Sequence, residues 1–203
     1  MPNYCENDLT IGGKVEEIEK FLSYARERKR RAKNSNGRML RPEMELPPKE
    51  CVEEDEEELS LLDFNRFISY PEEFSKLDDE AHEFWKTHSR GKLNVKDWPK
   101  DGFNQGGYDW CCTNWGVKWN AGEVTIDELE TWDGEDIGNR CVHFRTAWAP
   151  PKPVIKKMSE MFPELQFELK YFERGMAFNG IFVLKAGVVD QDEQGKYFGN
   201  RGG

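Results

Sequence analysis

The strict alternation of residues near the start of the chain is the feature that most constrains its fold. Cys5, Asn7, Leu9 and Ile11 occupy every second position, which places them on one side of an extended strand. The pair Gly12-Gly13 ends this pattern. The apolar residues that follow have a helical spacing, so a helix is predicted after the strand, with a stripe of Val15, Ile18, Phe21, Leu22 and Ala25.

The same succession returns in the second half of the chain. Residues 140–149 alternate again and predict a second long strand, with Cys141, His143, Arg145 and Ala147 on one side and Val142, Phe144, Thr146 and Trp148 on the other. Prolines end that strand and open a helix, because proline is well tolerated in a first helical turn. A hairpin with a turn near Arg174-Gly175 follows. The aromatic-rich stretch 108–120 is interpreted as a further strand.

Taken in order, these elements predict an α+β fold, a ferredoxin-like sandwich. Two helices would cover one face of an antiparallel sheet, and the hairpin would add an extra C-terminal strand. The first strand and helix occupy 1–33, and a long insertion, partly mobile and with short helices, occupies 34–107. The remainder of the sandwich occupies 108–190, and 191–203 is expected to be a flexible tail.

The charge is acidic overall but unevenly distributed. The formal net charge of −10 argues against general affinity for nucleic acid, which depends on basic side chains. One basic run nevertheless forms a candidate nucleic-acid contact: Arg28, Lys29, Arg30 and Arg31. Acidic runs lie at 50–58 and 123–136 and are interpreted as solvated faces or mobile loops, or as contacts for a protein partner.

The sequence contains neither the long apolar run of a membrane span nor the shorter apolar run of a secretory signal. No run of 18 apolar residues occurs, so a membrane span is not expected. The first residues contain no apolar core of a secretory signal, which predicts a cytoplasmic location.

The cysteine and histidine spacings indicate neither a disulfide framework nor a metal site. Five cysteines are present, an odd number, and the adjacent Cys111-Cys112 is the closest pair. Zinc sites usually show paired ligands a few residues apart. Buried thiols are therefore expected, and no cofactor or metal is predicted.

The tryptophan-rich stretch 108–120 is the first candidate binding surface. Alternation suggests that Trp115, Val117 and Trp119 fill the core, together with Trp148 from the neighbouring strand. Asn114 and Lys118 would then point outward. The candidate partner-binding residues are Asp109, Trp110, Asn114, Lys118 and Arg145.

Four segments carry a resemblance to a known family. They are MPNYCENDLTIGG at the start, YDWCCTNWGVKWNA, FRTAWAPPKPVI and FPELQFELKYFERGMAFNG, with DFNRFISYPEEF at 63–74 as a further match. Together they resemble the YubB-type ferredoxin-like domain, which occurs in phage and plasmid proteins. The resemblance implies an accessory protein of a mobile element and supplies no known activity.

Three classes of function stay open. A non-catalytic module that binds a host or phage protein is favoured. Nucleic-acid binding is the alternative, since ferredoxin-like sheets can bind RNA through aromatic residues on the open face. A small enzyme is the third possibility. Its catalytic group would be Asp109, or His143 paired with the thiol of Cys5 or Cys112. The sequence motifs of phosphate-binding loops, serine hydrolases and zinc proteases are absent. Oligomeric state is not specified.

Overall fold

The structure, a computed structural model, describes residues 3–26, 60–88, 94–132 and 136–196. Its strands are β1 Tyr4–Lys14, β2 Gly122–Ile126, β3 Glu130–Thr131, β4 Ile137–Ala147, β5 Gln166–Glu173, β6 Phe178–Lys185 and β7 Val188–Lys196. Its helices are α1 Val15–Ala25, α2 Glu72–Thr87, α3 Gly107–Asn114 and α4 Lys152–Met161. None of the helices in these ranges combines the length and the apolar character that a membrane crossing requires.

The strands form one antiparallel sheet in the order β2-β4-β1-β5-β6-β7, with β3 also paired to β4. The first four strands in this order, joined by α1 and α4, reproduce the split β-α-β-β-α-β plan of a ferredoxin-like sandwich. Strands β6 and β7 extend the sheet beyond β5. The predicted fold class is therefore confirmed, and two extra strands, β6 and β7, follow β5 where one was expected.

The two faces of the sheet differ sharply in burial. On the face covered by the helices, alternate residues of β1 and β5 are almost inaccessible, as Leu9, Ile11, Phe167 and Leu169 show. They pack with Ile18 and Ile155 and the other buried residues of α1 and α4 in one core. The opposite, open face carries mostly polar side chains, because successive residues of a strand point to opposite sides.

Part of the predicted insertion completes the core. Phe64 and Phe67 are buried, and Phe67 stacks on Phe21 of α1 at 5.7 Å between ring centroids. Buried Asp63 accepts a hydrogen bond of 2.6 Å from the Asn120 amide, which ties this segment to the chain just before β2. One helix of the predicted insertion is α2, which begins at Glu72 and ends at Thr87.

The prediction of a strand at 108–120 is wrong, because residues 107–114 form α3. The buried residues Gly107, Cys111 and Trp115 recur every fourth position, which is the period of a helix. The second strand of the sandwich is instead β2, inside the acidic run 123–136. It is short and lies at the sheet edge, and its apolar alternation is limited to the half-buried Val124 and Ile126, which is too little to reveal it within an acidic run.

The C-terminal boundary also differs from the prediction. Strand β7 continues to Lys196, past the predicted start of a flexible tail at 191. It pairs with β6, which supplies the backbone partners that a polar strand needs. The division of the chain into the segments 1–33, 34–107 and 108–190 stays a prediction.

Candidate protein-binding surface

Two short loops meet beyond the end of β4 and project aromatic side chains outward. The first loop, 115–119, follows α3 and is anchored by Trp115, whose indole N–H donates to the Ile68 carbonyl at 2.8 Å. Gly116 has a φ of 83°, and a β-carbon there would lie 2.6 Å from Pro153. Glycine is needed here for two reasons: a β-carbon would overlap Pro153, and other residues rarely adopt such a φ. Val117 is buried, whereas the next two residues are accessible: Lys118 is partly exposed and Trp119 is exposed.

The second loop contains Trp148 in an unusual backbone conformation. Its φ is 68°, a value that costs a bulky residue free energy, and 47% of the residue is exposed. The Trp148 N–H donates to the carbonyl of Asn3 at 3.0 Å. The backbone of Trp148 is therefore strained, although its side chain is too exposed for packing in the core to compensate for that strain.

A buried hydrogen-bond network holds this second loop. The Asn7 amide donates to the Thr146 hydroxyl at 2.8 Å, and that hydroxyl donates to the Ala149 carbonyl at 2.7 Å. Asn7 and Thr146 are almost fully buried, so breaking these bonds would leave unpaired polar groups in the core. The network fixes the turn that carries Trp148.

Lys118 joins the two loops. Its ammonium nitrogen lies 4.0 Å from the ring centroid of Trp119 and 4.2 Å from that of Trp148. Both distances are well inside the range of a cation–π contact. We call Lys118, Trp119, Trp148 and Tyr4 the tryptophan patch; Tyr4 is 43% exposed and pairs in the sheet with Ala147, the residue before Trp148.

Arg145 lies on the open face of the sheet, opposite Glu6 of β1 and three residues before Trp148. Its guanidinium contacts the Glu123 carboxylate at 2.6 Å and approaches that of Glu6 at 3.9 Å. Glu123 itself has a φ of 50°, next to an irregularity in the pairing of β2 with β4. Arg145 therefore contributes a cation whose position is set by two carboxylates.

The five predicted partner-binding residues do not form one cluster. Lys118 lies in the tryptophan patch and Arg145 on the open face of the sheet, whereas Asp109, Trp110 and Asn114 lie on α3. Asp109 is exposed in the first turn of the helix. Trp110 is half-buried and packs edge-on against Trp115 with 5.5 Å between centroids. The Asn114 amide donates to the Trp110 carbonyl at 2.9 Å, so its side chain is used within the helix. The basic run from Arg28 to Arg31 lies outside the described residues.

The expectation that Trp119 and Trp148 fill the core is wrong, since 38% of Trp119 is exposed and Trp148 is more exposed still. Assigning Trp119 to a strand face failed because residues 115–119 are a loop. One signal in the sequence does mark Trp148. It stands just before Ala149-Pro150-Pro151, and prolines end the strand pattern, so the alternation should not be extended through it.

The cysteine–histidine pairs considered for catalysis do not form. Cys5 lies on the helix-covered face and His143 on the open face, so the sheet separates them. Burial raises the pKa of the Cys5 thiol to about 12, which suppresses the nucleophilic thiolate. The expectation of buried thiols holds for Cys5 and Cys111, whereas Cys112 on α3 is exposed and Cys141 is only half-buried.

His143 has other partners on the open face. Its Nε2 lies 2.9 Å from an oxygen of Asp127, and its Nδ1 lies 2.8 Å from an oxygen of Asp8. Hydrogen bonds to Asp127 and then to Asp8 raise the pKa of His143 above its ordinary value. The thiol of Cys141 lies 3.9 Å from Nδ1 of the same ring.

Comparisons with known proteins agree with this fold. Residues 115–197, less than half of the chain, match the family model described as "Ferredoxin-like domain in Api92-like protein". The crystal structure of a protein api92 from Yersinia pseudotuberculosis is similar over 98% of this chain and 99% of that chain, with a TM-score of 0.51 and 10% sequence identity. The two proteins share a fold.

At this identity the structural likeness shows the fold alone. No curated protein matches the sequence. The matched segment contains Lys118, Trp119, Arg145 and Trp148, so the region resembling Api92-like proteins includes most of the surface described above.

Proposed function

We propose that this protein is a non-catalytic module that binds another protein, with the tryptophan patch as its contact surface. The observation that carries the proposal is the pair of exposed indole rings, Trp119 and Trp148, held on either side of Lys118. Tryptophan is enriched among the few interface residues that supply most of the binding free energy, because it offers a large and rigid apolar area.

The backbone of Trp148 supports the proposal. Residues in sparsely populated conformations cost about 1–3 kcal/mol each and persist where the surrounding structure holds them, often at binding sites. Here the buried Asn7 and Thr146 hold the loop, while the ring they present is exposed. The stability of the isolated domain does not account for such an arrangement, whereas a partner that covers the ring would.

The charges around the patch favour a partner that combines an apolar pocket with acidic groups. Lys118 lies between the exposed rings, Arg145 of β4 is three residues before Trp148, and cations at the rim of an interface mainly accelerate association with an oppositely charged surface. The exposed Glu128 and Glu130, which follow β2, offer a second contact for basic groups of the same partner.

The resemblance to YubB-type domains supports a narrower version of the proposal. Under it, the protein is an accessory protein of a phage or plasmid, acts in the cytoplasm of the bacterial host, and binds a host or phage protein. Nothing in the tryptophan patch resembles an assembly of nucleophile and base, so we expect its binding to occur without turnover.

Affinity purification from a bacterial host tests the proposal through matched variants. The tagged wild-type chain, Trp148→Ala and Trp132→Ala are compared after nuclease treatment at low and high salt. Trp132 is the control, since it is 53% exposed but follows β3 rather than lying in the patch. A hot-spot tryptophan contributes at least about 2 kcal/mol, so Trp148→Ala should weaken the affinity for a stoichiometric partner by roughly 30-fold and lower its recovery.

The outcomes separate the classes of function. Recovery that falls with Trp148→Ala and is unchanged with Trp132→Ala supports the proposal, provided that the variants retain the wild-type unfolding temperature. Equal recovery with all three chains contradicts it. Nucleic acid that is lost at high salt and requires Arg28 to Arg31 would replace it with nucleic-acid binding, because phosphate contacts weaken steeply with salt.

A further inference from the structure

Four metal-ligating side chains from three separate segments converge on the open face of the sheet. Cys141 and His143 are two positions apart on β4, so both point to this face. Asp8 of β1 is directly opposite His143 in the sheet register. Asp127 follows β2, and its backbone N–H donates to the Cys141 carbonyl at 3.0 Å, which holds it beside the same site.

The distances within this cluster suit a single ion. One ligand atom each from Asp127, Cys141 and His143 can be chosen so that all three lie within 4.8 Å of one another. Ligand atoms around a tetrahedral zinc ion, bonded at about 2.0–2.3 Å, are roughly 3.3–3.8 Å apart. Asp127 already lies 2.9 Å from Nε2 of His143, whereas the Cys141 sulfur lies 3.9 Å from Nδ1, so rotation of the Cys141 and His143 side chains has to bring the sulfur and Nε2 to one ion. The core does not lock these side chains, because Asp127 is exposed and the other two residues are half-exposed.

The chemistry of the three donors selects among metals. A thiolate and an imidazole are the ligands that zinc prefers, whereas magnesium and calcium bind oxygen donors. The Thr10 hydroxyl lies 3.9 Å from the Cys141 sulfur and can donate a hydrogen bond to it. The cation nearest in register is Lys170, which pairs with Asp8 in the sheet but has its ammonium 2.8 Å from Glu168.

We propose that Asp127, Cys141 and His143 bind one zinc ion through a carboxylate oxygen, the sulfur and Nε2, with water as the fourth ligand. Asp8 orients the ring by accepting a hydrogen bond from Nδ1. A carboxylate in this position is the usual outer partner of a zinc-bound histidine. Binding transfers the Cys141 thiol proton to solvent, so uptake of the ion releases acid. This site is independent of the protein-binding proposal.

Titration of the reduced full-length chain with cobalt(II) tests the site, because a cobalt–thiolate bond gives a charge-transfer absorption that carboxylate and imidazole ligands do not. The expected result is one equivalent of bound cobalt with this absorption, displaced by zinc. Cys141→Ser should abolish the absorption, and Asp8→Asn should weaken zinc binding by about 10–100-fold. Cys112→Ser is the matched control, since Cys112 is an exposed thiol on α3.

Absence of the cobalt–thiolate absorption in the wild-type chain would overturn the proposal. An absorption that survives Cys141→Ser would overturn it as well, because another thiol would then be the ligand. If Cys141→Ser proves unstable, His143→Gln provides the same test: the absorption should be lost or strongly weakened, and an unchanged titration contradicts the site.

Discussion

The same strands form both faces of the sheet, but one face packs into the core and the other presents charged side chains to solvent. On the helix-covered face, Leu9 and Phe167 are completely buried among apolar neighbours. One residue along β1 from Leu9, Asp8 faces the open side with His143, and Arg145 lies nearby. Alternation along a strand therefore separates the residues that stabilise the fold from those that offer charge and metal ligands to the surface.

The open face also differs from an RNA-binding sheet. Ferredoxin-like domains that bind RNA stack bases on aromatic residues of this face. On the strands that the structure describes, the aromatic residues here are Tyr4, near the edge of the face, and Phe172, which is buried. The exposed indoles lie in the loops beyond β4 instead. This difference favours a contact made by the loops rather than by the sheet.

Thiol alkylation should show the largest contrast between the faces. Cys5 is completely buried and its pKa is raised to about 12 by burial, so it should react only when the core opens. Cys141 on the open face should be modified in the native protein. We expect the rates to differ by at least roughly 1000-fold, because opening a core costs several kcal/mol. Mass spectrometry of peptides after timed alkylation measures both rates, and exposed Cys112 serves as the reference. Similar rates for Cys5 and Cys112 would contradict the described core.

Leu9→Ala should have the next largest effect. Removing a fully buried leucine side chain leaves a cavity and lowers the free energy of unfolding by about 2–5 kcal/mol. Thr10→Ala, one residue along β1 on the open face, is the matched control and should change it by about 1 kcal/mol or less, since it leaves no cavity in the core. Urea unfolding curves give both values. Equal losses for the two variants would show that the faces are not distinguished as described.

Thr146→Val tests the network that supports the tryptophan patch. The variant keeps the shape of the side chain but removes the acceptor for Asn7 and the donor to the Ala149 carbonyl. Leaving such groups unpaired in the core should cost about 1–3 kcal/mol. Thr125→Val, at an exposed position of β2, should cost much less. Tryptophan fluorescence should also change for Thr146→Val, and an unaltered spectrum with unaltered stability would argue against the proposed support.

Arg145→Met should have the smallest effect on stability. Its ion pair with Glu123 is solvent-exposed on both sides, and such pairs contribute about 0–1 kcal/mol. The loss should shrink further at high salt because ions screen exposed charges. Urea unfolding at two salt concentrations measures this. A salt-independent loss above about 2 kcal/mol would mean that Arg145 belongs to the core rather than to the open face.

Most of the sandwich could be predicted from periodicity, whereas the region between its halves could not. The first strand and helix, β4, α4 and the hairpin were recognisable because each buries one continuous face, which imposes a regular spacing of apolar residues. The aromatic residues of 107–115 fit a helix as well as a strand. Strand β2 is a short edge strand whose apolar residues, Val124 and Ile126, are too few to show a regular spacing within the acidic run.

The sequence by itself determined the order of β1, α1, β4, α4 and the β5–β6 hairpin and which residues of these strands share a side, because both follow from local periodicity. Only the tertiary structure decided that Asp8 and Asp127 meet at His143, and that Trp119 and Trp148 enclose Lys118. These contacts depend on the register between β1, β2 and β4 and on a strained loop conformation. Register and loop geometry are set by pairing between distant segments, and no local pattern of residues encodes that pairing.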